Sequence, residues 1–397
     1  MSKDDLEFLP FGAPHLGEEE IAEVVATLRS GWIGTGPRVA RFQEGFAGYK
    51  GTEAAAAVGS CTAALHLSLI ASGVGPGDEV ITTPLTFCAT VNAILHTGAT
   101  PVLADVDPRT MNLDPEAAAA AVTPRTRALI PVHFAGRPCD MDALGAIAQR
   151  HGLALIEDCA HAIETEAPWG KAGTFGDFGC FSFYATKNLT TAEGGMVLAR
   201  DPEALVRIRR LALHGMTRDA WKRFGSDGYR HYQVVEPGWK YNMTDLQAAL
   251  GIHQLAKVDT HWERRRRIWA RYMEALADLP LELPAPVADG ERHGHHLFPV
   301  LVEEGRAGLS RDTFLDRMTQ RRIGVGVHYL SVAEHPYYQE KLGWKPEQWP
   351  NAMRIGRATA SLPLSAALDD ARLDRVLQAI RSVLDEAAGP SVGAHGG

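Results

Sequence analysis

"LALIEDCAHA", Leu153 to Ala162, is an apolar run that stops at two adjacent carboxylates, Glu157 and Asp158, and then supplies a cysteine and a histidine. Short β-branched or apolar runs of this kind recur between Thr52 and Ala199, at Glu79 to Thr83, Pro101 to Ala104, Ala128 to Val132, Leu153 to Glu157 and Cys180 to Phe183. Helical patterns stand between them, at Thr62 to Ser72, Thr86 to His96, Pro115 to Val122 and Asp140 to His151. Strand and helix in alternation predict a mostly parallel sheet with helices on its faces. Ligands of such sheets sit beyond the carboxyl ends of the strands, which is where Asp158 falls.

From about Met243 the pattern changes to one long helix, Thr244 to roughly Leu276, carrying the basic run Arg264 to Arg267. That run reads as a solvated helix face. A strand (His296 to Val302), a helix (Arg311 to Arg322), a second strand (Gly324 to Tyr329) and a last helix (Leu368 to Ala387) follow. The expected organisation is a large α/β domain over 1–250 and a smaller α+β domain over 251–397, with a frayed tail at 388–397.

The chain has 397 residues, long enough for such a pair, since single cores stop growing at roughly 250 to 300 residues. Its formal charge of −8 argues against a nucleic-acid partner. No apolar run reaches the roughly 18 residues of a membrane span, and the first residues lack a basic-then-apolar leader, so no membrane partner and a cytoplasmic location are expected. The five cysteines are scattered, without a Cys-x-x-Cys pair, and suggest neither a disulfide framework nor a metal site.

Three stretches could carry chemistry. In "FSFYATKNLTTAEGG", Phe181 to Gly195, an apolar run delivers Lys187. Its structural reading is a strand-end lysine whose stem packs while its ammonium reaches water. Its chemical reading is a desolvated amine, with the neutral form favoured as a nucleophile for Schiff-base chemistry. Asp158 reads either as a turn or cap residue or as a carboxylate that keeps a ring nitrogen protonated, which makes a pyridine a better electron sink. In "VGSCTAALHLSL", Val58 to Leu69, Ser60 is a natural N-cap, and the helix start behind it offers Ser60, Cys61 and Thr62 to a phosphate. Phe87 is either a core aromatic or a ring that stacks on a cofactor. His161 is either a satisfied loop histidine or a group above that cofactor.

Together these stretches resemble the DegT/DnrJ/EryC1/StrS family of pyridoxal-phosphate sugar aminotransferases. The resemblance runs in order through "SGWIGTGPRVARFQEGFA", "GSCTAALHLSL", "GDEVITTPLTFCATVNAI", "GATPVLADVD", "IPVHFAGRPCDMDAL", "IEDCAHAIETE", "FSFYATKNLTTAEGGMV", "LALHGM" and "GWKYNMTDLQAALG". It implies fold type I, the aspartate aminotransferase-like α/β fold, with pyridoxal 5'-phosphate as cofactor and pyridoxamine 5'-phosphate as its amino-carrying form. It makes Lys187 the cofactor lysine, Asp158 the ring-nitrogen partner, Phe87 the stacking residue and His161 a neighbour of the ring. Cys61, Thr62 and Ser182 match phosphate-binding positions. Asn242, in "GWKYNMTD", matches a residue that reaches the phosphate from a neighbouring subunit, which implies a homodimer with shared active sites.

Within the family the chain looks closest to the branch of UDP-4-amino-4-deoxy-L-arabinose–oxoglutarate aminotransferases. That likeness places His328 and Tyr329 near the substrate. It implies ping-pong transfer from L-glutamate, released as 2-oxoglutarate, to a nucleotide-linked 4-keto sugar. One departure stands out: Glu164, in "HAIETE", replaces a glycine of many relatives and puts an extra carboxylate toward the acceptor side. A pyridoxal-phosphate dehydratase or deoxygenase, an aminotransferase for another ketone, and a non-catalytic regulator are the competing readings. Retention of Lys187 speaks against the first, since the related dehydratases carry histidine there.

Overall fold

The computed structural model describes residues 7–217 and 232–388. Two helices, α1 (Glu18–Ser30) and α2 (Pro37–Lys50), precede the sheet. The chain then alternates: β1 (Ala56–Val58), α3 (Cys61–Ala71), β2 (Glu79–Thr82), α4 (Cys88–His96), β3 (Thr100–Leu103), α5 (Pro115–Ala120), β4 (Thr126–Ile130), α6 (Met141–His151) and β5 (Ala154–Asp158). After a short two-stranded ribbon (Glu166–Ala167 with Gly170–Lys171) come β6 (Phe178–Ser182), β7 (Gly195–Ala199) and α7 (Pro202–Leu211). Local chemistry sets these boundaries. Asp140 caps α6 through a bond from the Ala143 N–H, and Gly152 closes that helix in the left-handed conformation.

The large sheet has the order β1-β7-β6-β5-β4-β2-β3. β2, β3, β4, β5 and β6 pair in parallel, whereas β7 runs antiparallel to both β6 and β1. Six strands therefore point their carboxyl ends to one edge, and the order reverses between β2 and β4. All five strands expected between Glu79 and Phe183 are present within two residues of their predicted ends.

The long helix is α8 (Asp245–Ala275), opened by a capping box between Thr244 and Gln247. It spans 250/251, the expected domain boundary, and serves two cores. Ala248 and Val258 pack with Phe42, Phe46, Phe181 and Phe183 beneath the sheet. Ile268, Trp269 and Tyr272 pack with Phe298, Phe314 and Val376 in the smaller unit. That unit holds α9 (Glu304–Ala307), α10 (Arg311–Gln320), α11 (Pro336–Leu342), α12 (Pro350–Ala358) and α13 (Asp370–Ala388) around an antiparallel pair, β8 (Phe298–Leu301) and β9 (Thr359–Leu362). Residues 389–397 of the expected frayed tail lie outside the described residues.

Two expectations are corrected. Gly324 to Tyr329 forms no strand. Gly324 is clamped against Leu9, and Gly326 makes a single bridge to Ser361, so the segment pairs with two different neighbours and no ladder repeats. The run Arg264 to Arg267 is not a uniformly solvated face. Arg266 and Arg267 are exposed, but Arg265 is buried, because the helical period puts it in line with Val258, His261, Ile268 and Tyr272. Among the described residues no helix is long and apolar enough to cross a membrane.

Candidate active site

β5 brings Asp158 to the carboxyl edge of the sheet, where it is buried. Its Oδ2 accepts from the Thr90 hydroxyl at 2.9 Å and its Oδ1 from the Ala160 N–H at 3.1 Å. Burial nevertheless pushes its carboxyl up, against the opposing effect of those two bonds and of Lys187. Asp158 is thus a charge held in place but short of a full counter-charge.

Lys187 stands on the turn beyond β6, the neighbouring strand. Three backbone bonds cinch that turn: Lys187 N–H to Tyr184 O, Thr191 N–H to Phe183 O and Phe183 N–H to Gly194 O, each at 2.9 Å. The side chain is half-buried and makes no hydrogen bond or ion pair among the described residues. Burial pushes its ammonium down to about 8, with Cys61 and Asp158 pulling the other way. An amine with that value has a far larger neutral fraction near physiological pH than a free lysine has, and the neutral form is the nucleophile.

An anion cradle lies at the start of α3. Ser60 caps the helix, its Oγ accepting from the Ala63 N–H at 3.1 Å. The N–H groups of Cys61 and Thr62 precede the helix's own bonding and face outward with the positive end of its dipole. β7 begins hard against this turn: a Cβ on Gly195 would lie 2.5 Å from the Ser60 carbonyl carbon. Ser182 ends β6 close by in the sheet, opposite Gly195 in the ladder.

His161 is buried, and its hydrogen bonds fix its protons. Nδ1 accepts from the Ala135 N–H at 3.2 Å, so Nε2 carries the proton and donates to the Tyr329 hydroxyl at 3.0 Å. Burial pushes the imidazole well below its usual range, with Lys187, His296 and His328 adding repulsion, so the ring is neutral. Tyr329 stacks on it at 5.9 Å and stands 5.9 Å from the Phe87 ring. Phe87 is not a core aromatic: it flanks the start of α4 and stays 58% exposed, a large flat face left open. His328 is bonded to Ser361 at 3.0 Å and stacked on Phe11 at 5.2 Å.

One expected position behaves differently. Glu164 does not offer a free carboxylate to a substrate. It is buried, pairs with Arg265 through Oε1, and accepts from Asn188 Nδ2 at 2.9 Å through Oε2. Burial pushes its carboxyl up, and Arg265 and Asn188 offset part of that. Asn242 is bridged through its backbone to Val58, two residues before Ser60, and its side chain is bonded to Thr35 and Lys240 on the rim of a surface cavity of about 1130 Å³. Four members of the site escaped sequence reasoning: Thr90, Asn188, Arg265 and His296. Asn188 had a visible signal, since it directly follows Lys187, and Thr90 lies one turn after Phe87.

The sequence pattern of the DegT/DnrJ/EryC1/StrS aminotransferase family matches residues 14–381. The chain belongs to that family. It is 50% identical over 378 residues to the spore coat polysaccharide biosynthesis protein SpsC of Bacillus subtilis, covering 95% of this chain and 97% of that protein. Among solved structures, Spr1654 of Streptococcus pneumoniae, described as a candidate sugar aminotransferase in its pyridoxamine phosphate form, superposes with a TM-score of 0.89 at 32% identity, over 96% of this chain and 98% of that one. The same protein is also known in its pyridoxal phosphate form. PseC of Helicobacter pylori, an aminotransferase involved in the biosynthesis of pseudoaminic acid, superposes at 0.88 with 26% identity, over 96% of this chain and all (100%) of that one.

The aminotransferase has fold type I and depends on pyridoxal phosphate, and its residues fit that group. An uncommitted amine with a depressed pKa, a buried carboxylate lacking a full counter-charge, an open aromatic face and a capped helix start with free N–H groups converge on one edge of the sheet. Each would suit one part of the cofactor: aldehyde, ring nitrogen, ring face and phosphate.

Proposed function

We propose that this aminotransferase moves the amino group of L-glutamate onto a 4-keto sugar carried by a nucleoside diphosphate, in two half-reactions that release 2-oxoglutarate first. Bound pyridoxal phosphate supplies an aldehyde carbon and an electron-withdrawing ring. Lys187 would hold the cofactor's aldehyde through its Nζ, and the same amine would be the group that carries the proton during transfer. Asp158 holds the proton on the ring nitrogen, and Thr90 and the Ala160 N–H aim its carboxylate. Phe87 covers the ring face. Ser60, Cys61, Thr62 and Ser182 bind the phosphate, and Asn242 of a second copy completes that site, which makes the working unit a homodimer. His161 passes its Nε2 proton's hydrogen bond to Tyr329, whose own hydroxyl proton is left to meet a substrate oxygen.

The observation that carries the reading is an uncommitted Lys187 amine, on the turn beyond β6, within electrostatic reach of Asp158 at the end of the adjoining strand β5. The sugar class draws on the descriptions of SpsC, Spr1654 and PseC. The test is to incubate the cofactor-loaded enzyme and glutamate with UDP-, GDP- and dTDP-linked keto sugars, UDP-4-keto-pentose among them, and to follow product mass and 2-oxoglutarate. Amination of one of them is expected. Rejection of every keto sugar in favour of a simpler ketone would overturn the substrate class.

A further inference from the structure

The residue that follows Lys187 fixes the protonation of a histidine to which no role has so far been given. Asn188 Nδ2 donates to Glu164 Oε2 and to the Gly294 carbonyl, each at 2.9 Å. Both partners only accept, so the amide nitrogen must face them and the amide oxygen must face the other way. That oxygen lies 2.9 Å from His296 Nδ1. An amide oxygen only accepts, so His296 carries its proton on Nδ1.

The opposite ring nitrogen, Nε2, is then a bare lone pair. It has no hydrogen-bond partner among the described residues, and it is not among their sealed, unpartnered atoms either. The ring lies 4.4 Å from that of His161. Burial holds the imidazole well below its usual range, and Lys187 and His328 repel a proton on it further. His161 and His296 are therefore two adjoining neutral imidazoles with opposite tautomers. One gives its proton to Tyr329, and the other shows a lone pair to the site.

We propose that His296 is a substrate-binding residue whose Nε2 accepts a hydrogen bond from an N–H or O–H of the substrate, and that Arg265, Glu164 and Asn188 are positioning residues that set its tautomer. The chain of contacts is directional. Arg265 holds the Glu164 carboxylate, the carboxylate orients the Asn188 amide, and the amide selects the Nδ1–H form. A site of fixed dipoles needs no reorganisation when substrate arrives. The identity of the bound group rests on the aminotransfer reading above; the tautomer does not.

Two measurements test it. In the holoenzyme labelled with 15N-histidine, long-range proton–nitrogen correlations at neutral pH should show His296 protonated on Nδ1 alone, with the signal assigned by its loss in His296→Asn. Asn188→Ala should give a mixture of tautomers. A wild-type His296 protonated on Nε2, or doubly protonated, would overturn the proposal whether or not the variants fold.

The second measurement follows the cofactor's visible absorbance as glutamate, then a keto sugar, is titrated. His296→Asn keeps a donor toward Asn188 and loses Nε2; the affinity of one substrate should fall about 10- to 100-fold. His296→Gln, which returns an amide oxygen near the Nε2 position, should restore part of it. Loss confined to glutamate assigns the contact to its amino group, and loss confined to the sugar assigns it to a hydroxyl. Unchanged affinity for both in a folded His296→Asn protein would overturn the proposal. A wild-type enzyme that ignores glutamate yet shows the Nδ1–H tautomer would sink the donor assignment alone.

Discussion

Glu157 and Asp158 are neighbours on β5, both buried, and the strand period sends them to opposite faces of the sheet. Glu157 is fully supplied with donors. Its Oε2 accepts from His133 Nε2 at 2.9 Å and the Gly173 N–H at 2.7 Å, and its Oε1 from the N–H groups of Phe175 at 2.9 Å and Gly176 at 2.8 Å. Those bonds outweigh burial and hold its carboxyl below the ordinary range. Asp158 has two donors and a carboxyl pushed up. One carboxylate is completed by the fold, and the other waits for a cation that the fold does not supply. The first ties the loop after β5 to the sheet, and the second serves chemistry.

The comparison predicts opposite failures. The largest effect expected in the molecule belongs to the amine that faces Asp158: Lys187→Ala should abolish turnover, and normal steady-state activity in that variant would remove the site's central assignment. Asp158→Asn should lower kcat on the order of 10²- to 10³-fold, the range for losing one preorganised electrostatic partner. Because the ionised Asp158 is disfavoured by burial, the cofactor-free variant should melt no lower than wild type at neutral pH. A clear drop in its melting temperature would mean that Asp158 is structural after all.

Glu157→Gln should do the reverse. It leaves donors facing an amide, and breaking a buried charged contact of this kind costs roughly 3–5 kcal/mol. Denaturant unfolding should show that loss while the folded fraction still binds pyridoxal phosphate. The sign with pH follows from its depressed value: the Glu157 contribution is complete above the ordinary glutamate pKa and fades as pH falls through the lower folded one.

Two smaller effects sharpen the picture. With the Lys187 ammonium pushed down to about 8, the rate at which cofactor-free protein captures pyridoxal phosphate should rise with pH through that value and level off above it. A profile still climbing at the pKa of free lysine would show that burial does not tune the amine. Ser60→Ala should cost about 1 kcal/mol of stability as a lost helix cap. It should also weaken cofactor binding measured by absorbance titration, and a change in stability alone would confine Ser60 to capping.

What the sequence made legible is what is local. Asp158 ends a run whose strand character is written in its own residues, Lys187 follows another such run, and Ser60 announces a helix start. Arg265 and Glu164 are separated by 101 positions, so their contact exists only once α8 lies across the sheet. The basic run hid it: four arginines in a row read as a wet face, although the spacing to Val258, His261, Ile268 and Tyr272 carried the inward register. Gly324 to Tyr329 has strand-like composition, yet its partners, Leu9 and Ser361, lie at opposite ends of the chain and impose single bridges. His296 was hidden in a different way, since its role follows from which way a neighbouring amide points.

The turn from Tyr184 to Gly194 is closed by three backbone bonds of equal length. Its residue count is therefore not free in the way that of a surface loop usually is. One residue inserted after Lys187 would have to break a bond to Phe183 or lift the lysine off its stop, changing how far the amine reaches. Exchange of the exposed Glu193 side chain leaves that reach intact; a change in the turn's length does not. For anyone reshaping this enzyme toward another sugar, the chain's spacing between Lys187 and Gly194 is a ruler to be kept, and variation belongs on the walls around it.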